Sequence, residues 1–421
     1  MGHLRVFLRS IPLGALVIGL SEAPMVAQDS THWIVLGSDA SASFATNLSI
    51  LDNGSGRMSS GLTAIQTING RTVAVLDPIL EGLLQRAIHN AHHRCGGYTV
   101  HPTQGAAEAE AQNPFYEPGA VDRLGDFPRA IDQQAAVRPT LDRVDKEQIV
   151  ATILKLQSFG TRYYQSESGQ NAALELKGLW ESYASNRPDF SVKLHTHGWR
   201  QNSVIASIRG TELSDEIVVI GGHLDSINTS NVDAAPGADD DASGVAAVTE
   251  TLRVILASGF RPKRTLQFMA YAAEEVGLRG SNDIVQSYRD QGLRVIAALQ
   301  LDMTGYAGSS EDMYFVTDYV SANLTTFLKD LIREYNGSGP HSISHGETAC
   351  GYACSDHGSW TRYGVPSAFP FEARFEDYNQ SIHSANDLLE QIDTTGERQA
   401  KFSKLGVEFM MELGKNSDPA P

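Results

Sequence analysis

Cysteine is nearly absent: Cys95, Cys350 and Cys354 are the three in 421 residues, too few for a small disulfide-stapled scaffold. Basic charge is also short. Against 50 Asp and Glu stand 33 Lys and Arg, a formal net charge of -17, so the positive footprint that binds nucleic acid phosphates is missing and nucleic acid is not expected as a partner. Long apolar runs are lacking too. The N-terminal run IPLGALVIGL is too short to cross a bilayer as a stable helix. It follows Arg5 and Arg9 and precedes small and polar residues near Ala27, the pattern of an export signal. Residues 1–27 are read as a signal peptide, giving a secreted product, with the periplasm as the alternative compartment and no membrane contact after signal removal. Cys350 and Cys354 bracket GYA in an exported chain and read as a tight disulfide, two free buried thiols being the alternative. Cys95 then has no obvious partner.

No internal repeat interrupts the remainder, which is long enough for one large core or two domains. Residues 28–101 read as a small N-terminal domain: WIVLGS and GRTVAVLD are strand candidates, and DPILEGLLQRAIHNAHH has a helical rhythm of Ile79, Leu80, Leu83, Leu84 and Ile88. Its His89, His92, His93 and Cys95 read as surface or interdomain packing in preference to a metal site. Residues 102–129, rich in Ala, Pro, Gly and acid without an apolar period, read as a cleavable linker. In the main body, 130–421, Asp145 is a candidate cap for a helix striped by Ile149, Ile153 and Leu156. A second helix has an apolar side of Leu174, Leu176, Leu179 and Trp180. From Val192 onward short apolar strands alternate with helical segments, which predicts a sheet covered by helices with catalytic groups on loops leaving strand ends.

The chemistry lies at those exits. EIVVIGGHLDS puts His223 directly after a strand and two residues before Asp225, a carboxylate able to fix the tautomer of a metal-bound imidazole. PGADDDASG places three carboxylates in a row, which repel unless a cation, solvent or hydrogen bonds compensate. FMAYAAEEVGLRGS supplies Glu274 and Glu275, one able to ligate while the other faces an attacking water; an acidic helix start is the ordinary reading. LQLDMTGY adds Asp302, and EDYNQSIHSANDLLE adds His383 before a capped helical segment. Two imidazoles and several carboxylates can form a pair of nitrogen and oxygen metal sites, suited to hydrolysis of an amide by activated water.

These strings, with CGYACSDH, give the stretch from about Ala130 to Gly414 a specific likeness: it resembles the M28 family of zinc aminopeptidases, especially the secreted bacterial leucyl aminopeptidase branch. The resemblance implies an α/β fold, a mixed, mostly parallel sheet covered by helices on both faces and preceded by a small α+β propeptide domain. It implies two zinc ions and release of an N-terminal residue. It selects Asp240 as a shared ligand, with His223 and Asp302 on one ion and Glu275 and His383 on the other. It makes Glu274 the general base, Asp225 the partner orienting His223, and Tyr352 the donor to the carbonyl oxygen on a loop braced by Cys350 and Cys354. By the same likeness Met303, Val316, Phe369, Phe371, Phe375, Tyr378 and Ile382 line a pocket favouring Leu, Met or Phe, at roughly 25 cal/mol per Å² of apolar surface buried. Residues 28–101 resemble a family propeptide through HNAHHRCGGYTVHP, so a zymogen processed between about Pro102 and Pro139 is expected, the segment assisting folding or restraining activity. The expected partners are peptides with a free N-terminus and the chain's own propeptide, and a monomer is expected.

Overall fold

The computed structural model describes residues 32–37, 40, 62–92, 97–113, 126–184 and 186–417; the signal segment and its cut near Ala27, and His93 and Cys95, lie outside these. Near the N-terminus β1 (His32–Leu36), β2 (Leu62–Ile68), β3 (Arg71–Leu76) and β4 (Tyr98–His101) form an antiparallel sheet in the order β2-β3-β1-β4. Side chains alternate faces along a strand. Ile34, Leu36, Ala74 and Leu76 therefore pack with Leu84 and Ile88 of the helix Glu81–His92, while Val35 and Val73 meet Ala107 and Ala111 from the opposite face. Ala107 and Ala111 belong to a helix, Gln104–Ala111, capped by the Thr103 hydroxyl. This corrects the reading of that stretch as linker: its small residues seat a helix tightly on a sheet, a packing that has no amphipathic signature. β2 carries no sequence signal either, since Ile65 on it is exposed, and Leu83 of the predicted stripe faces outward. The small sheet belongs to the same compact unit as the rest of the described chain.

The main sheet contains β5 (Phe190–His195), β6 (Ser203–Ile208), β7 (Leu213–His223), β8 (Arg264–Tyr271) and β9 (Arg294–Gln300). A second sheet holds β10 (Met313–Val316) and β11 (His345–Thr348), and the chain then adds β12 (Ser367–Ala368) and β13 (Pro370–Phe371). The order β12-β9-β7-β8-β6-β5 is parallel from β12 to β8 and antiparallel at β8/β6 and β6/β5. PSAFPFEA thus splits, β12 pairing with β9 while β13 pairs with β10 in the sheet β11-β10-β13.

Central strands of a doubly covered sheet are apolar on both faces, and β7 shows why VVI is continuous. Val218 and Ile220 meet one core with residues of the helices Lys146–Gln157, Glu167–Ser182, Gly244–Ala257 and Glu397–Gly414, while Val219 meets Ile284, Val285 and Trp360 on the other side. Asp145 caps the first of these helices through Glu147 N, as its sequence predicts. In Glu167–Ser182, Leu176 and Trp180 are buried but Leu174 is 48 % exposed, a correction to the predicted stripe. The segment after His383 also departs from expectation, forming only a short turn at Leu389–Gln391. Its Asp387 carboxylate is engaged by the amides of Asp239 and Asp240, and Leu389 N donates to Gln157, so tertiary bonds replace a helical ladder. No helix among the described residues is long and apolar enough to cross a membrane.

Candidate metal centre

Because β7, β8 and β9 are parallel neighbours, their C-terminal ends open on one crevice, where ligands of α/β sheets gather. His223 ends β7, Glu274 and Glu275 follow β8, and Asp302 follows β9. The loop between β7 and the helix Gly244–Ala257 contributes Asp239, Asp240 and Asp241, all buried. Asp240 reaches both imidazoles, with Oδ1 2.8 Å from His223 Nε2 and Oδ2 3.1 Å from His383 Nε2. Glu275 Oε2 lies 2.9 Å from His383 Nε2, and Asp302 Oδ1 lies 3.5 Å from His223 Nε2. Two buried groups result whose candidate ligand atoms lie within 4.8 Å of one another: His223, Asp241 and Asp302, and Asp240, Glu275 and His383.

Asp241 is in the first group by proximity, but its oxygens are already used: Oδ2 accepts from His223 N at 2.9 Å, and Oδ1 from Gly244 N at 2.8 Å and Met303 N at 3.2 Å. A carboxylate so engaged anchors backbone, leaving Asp240 as the one with an oxygen toward each imidazole. This carboxylate also explains two glycines, since a Cβ at Gly222 or Gly244 would come within 2.7 or 2.3 Å of it. Asp225 departs from its expected role in the same way. The His223 Nδ1 partner is the Asp225 backbone carbonyl at 3.1 Å, with Oδ1 at 3.6 Å, while the carboxylate accepts from the amides of Glu274 and Glu275.

The donor set fits zinc. Both oxygens of Glu275, Oδ1 of Asp302 and both ring nitrogens of His383 are buried without a hydrogen-bond partner among the described residues. Buried polar atoms carry that cost only where something else satisfies them. His383 Nε2 and Glu275 Oε2 are 2.9 Å apart, yet neither has a hydrogen-bond partner among the described residues. Nitrogen and carboxylate oxygen around two adjacent points are ligands zinc accepts. The two buried groups are those of a dizinc centre.

Charge is arranged to match. Burial raises Glu275 to about 7, with Asp240 adding and His383 opposing. Burial would also raise Asp240, but the His223 and His383 imidazoles facing its two oxygens hold it well below the carboxylate range. Glu274 is pushed well up by burial against the pull of His223. Beneath the loop lies a feature the sequence did not disclose: Arg162, fully buried, donates to the carbonyls of Leu224, Pro236 and Gly237 at 2.6–2.9 Å. Asp387, raised to about 8 by burial and by Asp239, holds the amides of Asp239 and Asp240. Ser355 donates to Asp302 Oδ2 at 2.6 Å. None of these has a spacing signal, because each acts through a partner distant in sequence.

Six of the seven predicted pocket residues come together in one buried apolar cluster with Tyr352, Cys350 and Cys354, and the seventh, Phe375, packs against it partly buried. Met303, Phe369, Phe371, Phe375 and Tyr378 line a small cavity with Asp302 and Tyr352. Cys350 and Cys354 are joined, S–S 1.98 Å, and Asp318 accepts from the amides of Cys350 and Gly351. The N-terminal sheet and helix lie over the same region. The His89 ring is 5.0 Å from that of His383, Val100 N donates to Gly277 O, and a Cβ at Gly277 would stand 2.8 Å from Val100. Glu81 pairs with Arg279 at 3.3 Å and accepts from Tyr164 at 3.0 Å, and Glu110 pairs with Arg362 at 2.7 Å.

Comparison with known proteins gives a consistent picture. Residues 203–405 match the family described as peptidase family M28. A probable aminopeptidase of Saccharomyces cerevisiae is 38 % identical over 299 residues, 68 % of this chain and 78 % of that protein. Leucine aminopeptidase 1 of Ajellomyces capsulatus is 40 % identical over 325 residues, 73 % and 80 % of the two chains. Among solved structures, the LapA aminopeptidase of Legionella pneumophila superposes with a TM-score of 0.76 at 27 % identity, covering 91 % of this chain and 98 % of that one. Fungal and bacterial relatives both appear, so the likeness extends beyond the secreted bacterial branch.

Proposed function

Since this chain belongs to peptidase family M28 and is a dizinc aminopeptidase, we propose that it is an exported leucyl-type aminopeptidase that releases large apolar N-terminal residues and is held back by its own N-terminal segment. The observation that carries this reading is Asp240, whose two oxygens each face one of two buried imidazoles. In the proposal Asp240 is shared, His223 and Asp302 complete one metal site, and Glu275 and His383 complete the other.

When bound, the two zinc ions supply a water of lowered pKa and a Lewis acid for the scissile carbonyl. Glu274 accepts the proton of the attacking water and returns it to the leaving nitrogen. The Tyr352 O–H donates a hydrogen bond to the carbonyl oxygen as negative charge develops there. Asp225 orients the site from behind, through its carbonyl on His223 and its carboxylate on the amides of Glu274 and Glu275. The free substrate ammonium is held by the carboxylates of the crevice, and the substrate side chain enters the apolar cluster of Met303, Val316, Phe369, Phe371, Phe375, Tyr378 and Ile382. Hydrolysis of leucine p-nitroanilide against its N-acetylated form tests the reading. A free amine is required, so equal rates on the two compounds would defeat it.

The restraint is argued from packing. The helix bearing His89 and the strand bearing Val100 cover His383 and the loop after Glu275, so a peptide and this segment compete for one space. In the proposal processing falls between about Pro102 and Pro139, and the burial of Ala111 and of Phe127 favours a cut between those two residues. N-terminal sequencing of secreted, active material checks this; full activity in a chain that retains residues 28–101 would count against restraint.

A further inference from the structure

Away from these residues, a second set of metal-type ligands assembles at the edge of the main sheet. His195 ends β5 opposite Ser203, the first residue of β6, and the connecting residues carry His197 and Trp199. Asp283, one turn into the helix Arg279–Asp290, meets both imidazoles. Its Oδ2 lies 2.6 Å from His197 Nδ1 and 3.4 Å from His195 Nε2, and one ligand atom from each of the three residues lies within 4.8 Å of the others. We propose that His195, His197 and Asp283 form a further binding site for a divalent transition cation, sharing no residue with the peptidase centre.

The outer shell supports this assignment. His197 Nε2 is 2.8 Å from Ser203 Oγ, and that hydroxyl already accepts from Ala272 N at 2.9 Å. Its other lone pair can take Nε2–H, and in that tautomer the Nδ1 lone pair faces Asp283, the arrangement in which metal-bound histidines are commonly held by their outer partners. Without a cation a proton on Nδ1 bridges the 2.6 Å contact to Asp283, and metal binding would displace that proton. Tetrahedral zinc with bonds of about 2.0–2.1 Å needs neighbouring ligand atoms about 3.3 Å apart. The pair His195–Asp283 has that spacing already, and His197–Asp283 must open by about 0.7 Å to reach it. Two imidazoles and one carboxylate suit zinc, copper or nickel over magnesium or calcium.

Access and consequence are also visible. Asp283 is half exposed and lines a cavity of about 380 Å³ together with Trp199, Arg279 and Arg362, which leaves room for water in the remaining coordination positions. Trp199 stacks on His197 with ring centres 4.4 Å apart and planes 5° from parallel. The Ser203–His197–Asp283 alignment is not a nucleophilic triad, because Ser203 is fully buried.

The test uses the full chain, with zinc counted by elemental analysis after equilibrium dialysis and copper binding followed by tryptophan fluorescence. Wild type is expected to hold one zinc equivalent more than either His195→Ala or Asp283→Asn, with the other equivalents retained in both variants as proof of folding. Copper should quench wild-type fluorescence, and Trp199→Phe should remove the quenched component. Equal stoichiometry in wild type and both variants overturns the site, as does quenching that persists in both Asp283→Asn and Trp199→Phe.

Discussion

Three consecutive aspartates divide their work because the backbone turns between them: Asp239 binds Gly305 N and Asn379, Asp241 binds the amides of His223, Gly244 and Met303, and Asp240 faces the two imidazoles. Positive-φ residues at Ala273, Met303 and His383 flank the same site, an uncommon backbone state that surrounding bonds must hold. Gly244→Ala puts a methyl 2.3 Å from both Asp241 Oδ1 and Leu301 O, and is expected to lower zinc content and Tm together. Arg162 is the buried cation among Asp225, Asp240, Asp241 and Asp387, which favour its charge against desolvation. Replacing it with Met removes the side-chain donor to the Leu224 and Pro236 carbonyls and leaves those carboxylates less compensated, an expected loss of about 3–5 kcal/mol in urea unfolding. Glu274→Gln should cut kcat by roughly 10²–10⁴-fold with zinc content unchanged, since the amide cannot accept the proton. Loss of zinc in that variant would instead make Glu274 part of the metal shell.

At the scale of elements, the loop Cys350–Cys354 and the strand ends act as units. Asp318 gathers the amides of Cys350 and Gly351 while the disulfide closes the loop around Tyr352, so the hydroxyl is held without a helix or strand of its own. Tyr352→Phe should lower kcat by about 10²-fold, the usual loss for one oxyanion donor, with KM nearly unchanged. The double change Cys350→Ser, Cys354→Ser should move kcat in the same direction by less. A larger effect on KM than on kcat would mean that the loop binds the substrate in its ground state.

At the scale of the whole molecule, the carboxylate-rich crevice and the N-terminal sheet are coupled through the same loops. Removing zinc leaves Asp240, Glu275 and Asp302 mutually repelling in a buried space, so chelation should lower Tm and zinc should restore it in a concentration-dependent way. Scanning calorimetry at several free zinc concentrations measures this; a Tm independent of zinc would show that the cluster is satisfied without it. Glu81 and Glu110 tie the N-terminal sheet to Arg279 and Arg362. On the proposed restraint by the N-terminal segment, Glu81→Ala with Glu110→Ala should raise the turnover of the full chain toward that of a chain from which residues 28–101 have been removed.

The strings GGHLDS, AAEE and LQLDMT announce their chemistry locally, since each puts a metal-type side chain at the end of an apolar strand, while DDDASG and SIHS offer theirs from loops. The continuous VVI of β7 and the Asp145 cap likewise declare a buried parallel strand and a helix start, because periodicity and capping are properties of adjacent residues. Folding decided what depends on partners far apart in the chain. It sent the Asp225 carboxylate to the Glu274 and Glu275 amides, brought Asp387 to the aspartate loop in place of starting a helix, buried Arg162 beneath that loop, and seated Gln104–Ala111 on a sheet. A short peptide motif can specify which atoms are offered, but hydrogen bonds to backbone and burial of charge are satisfied only when remote segments close around them.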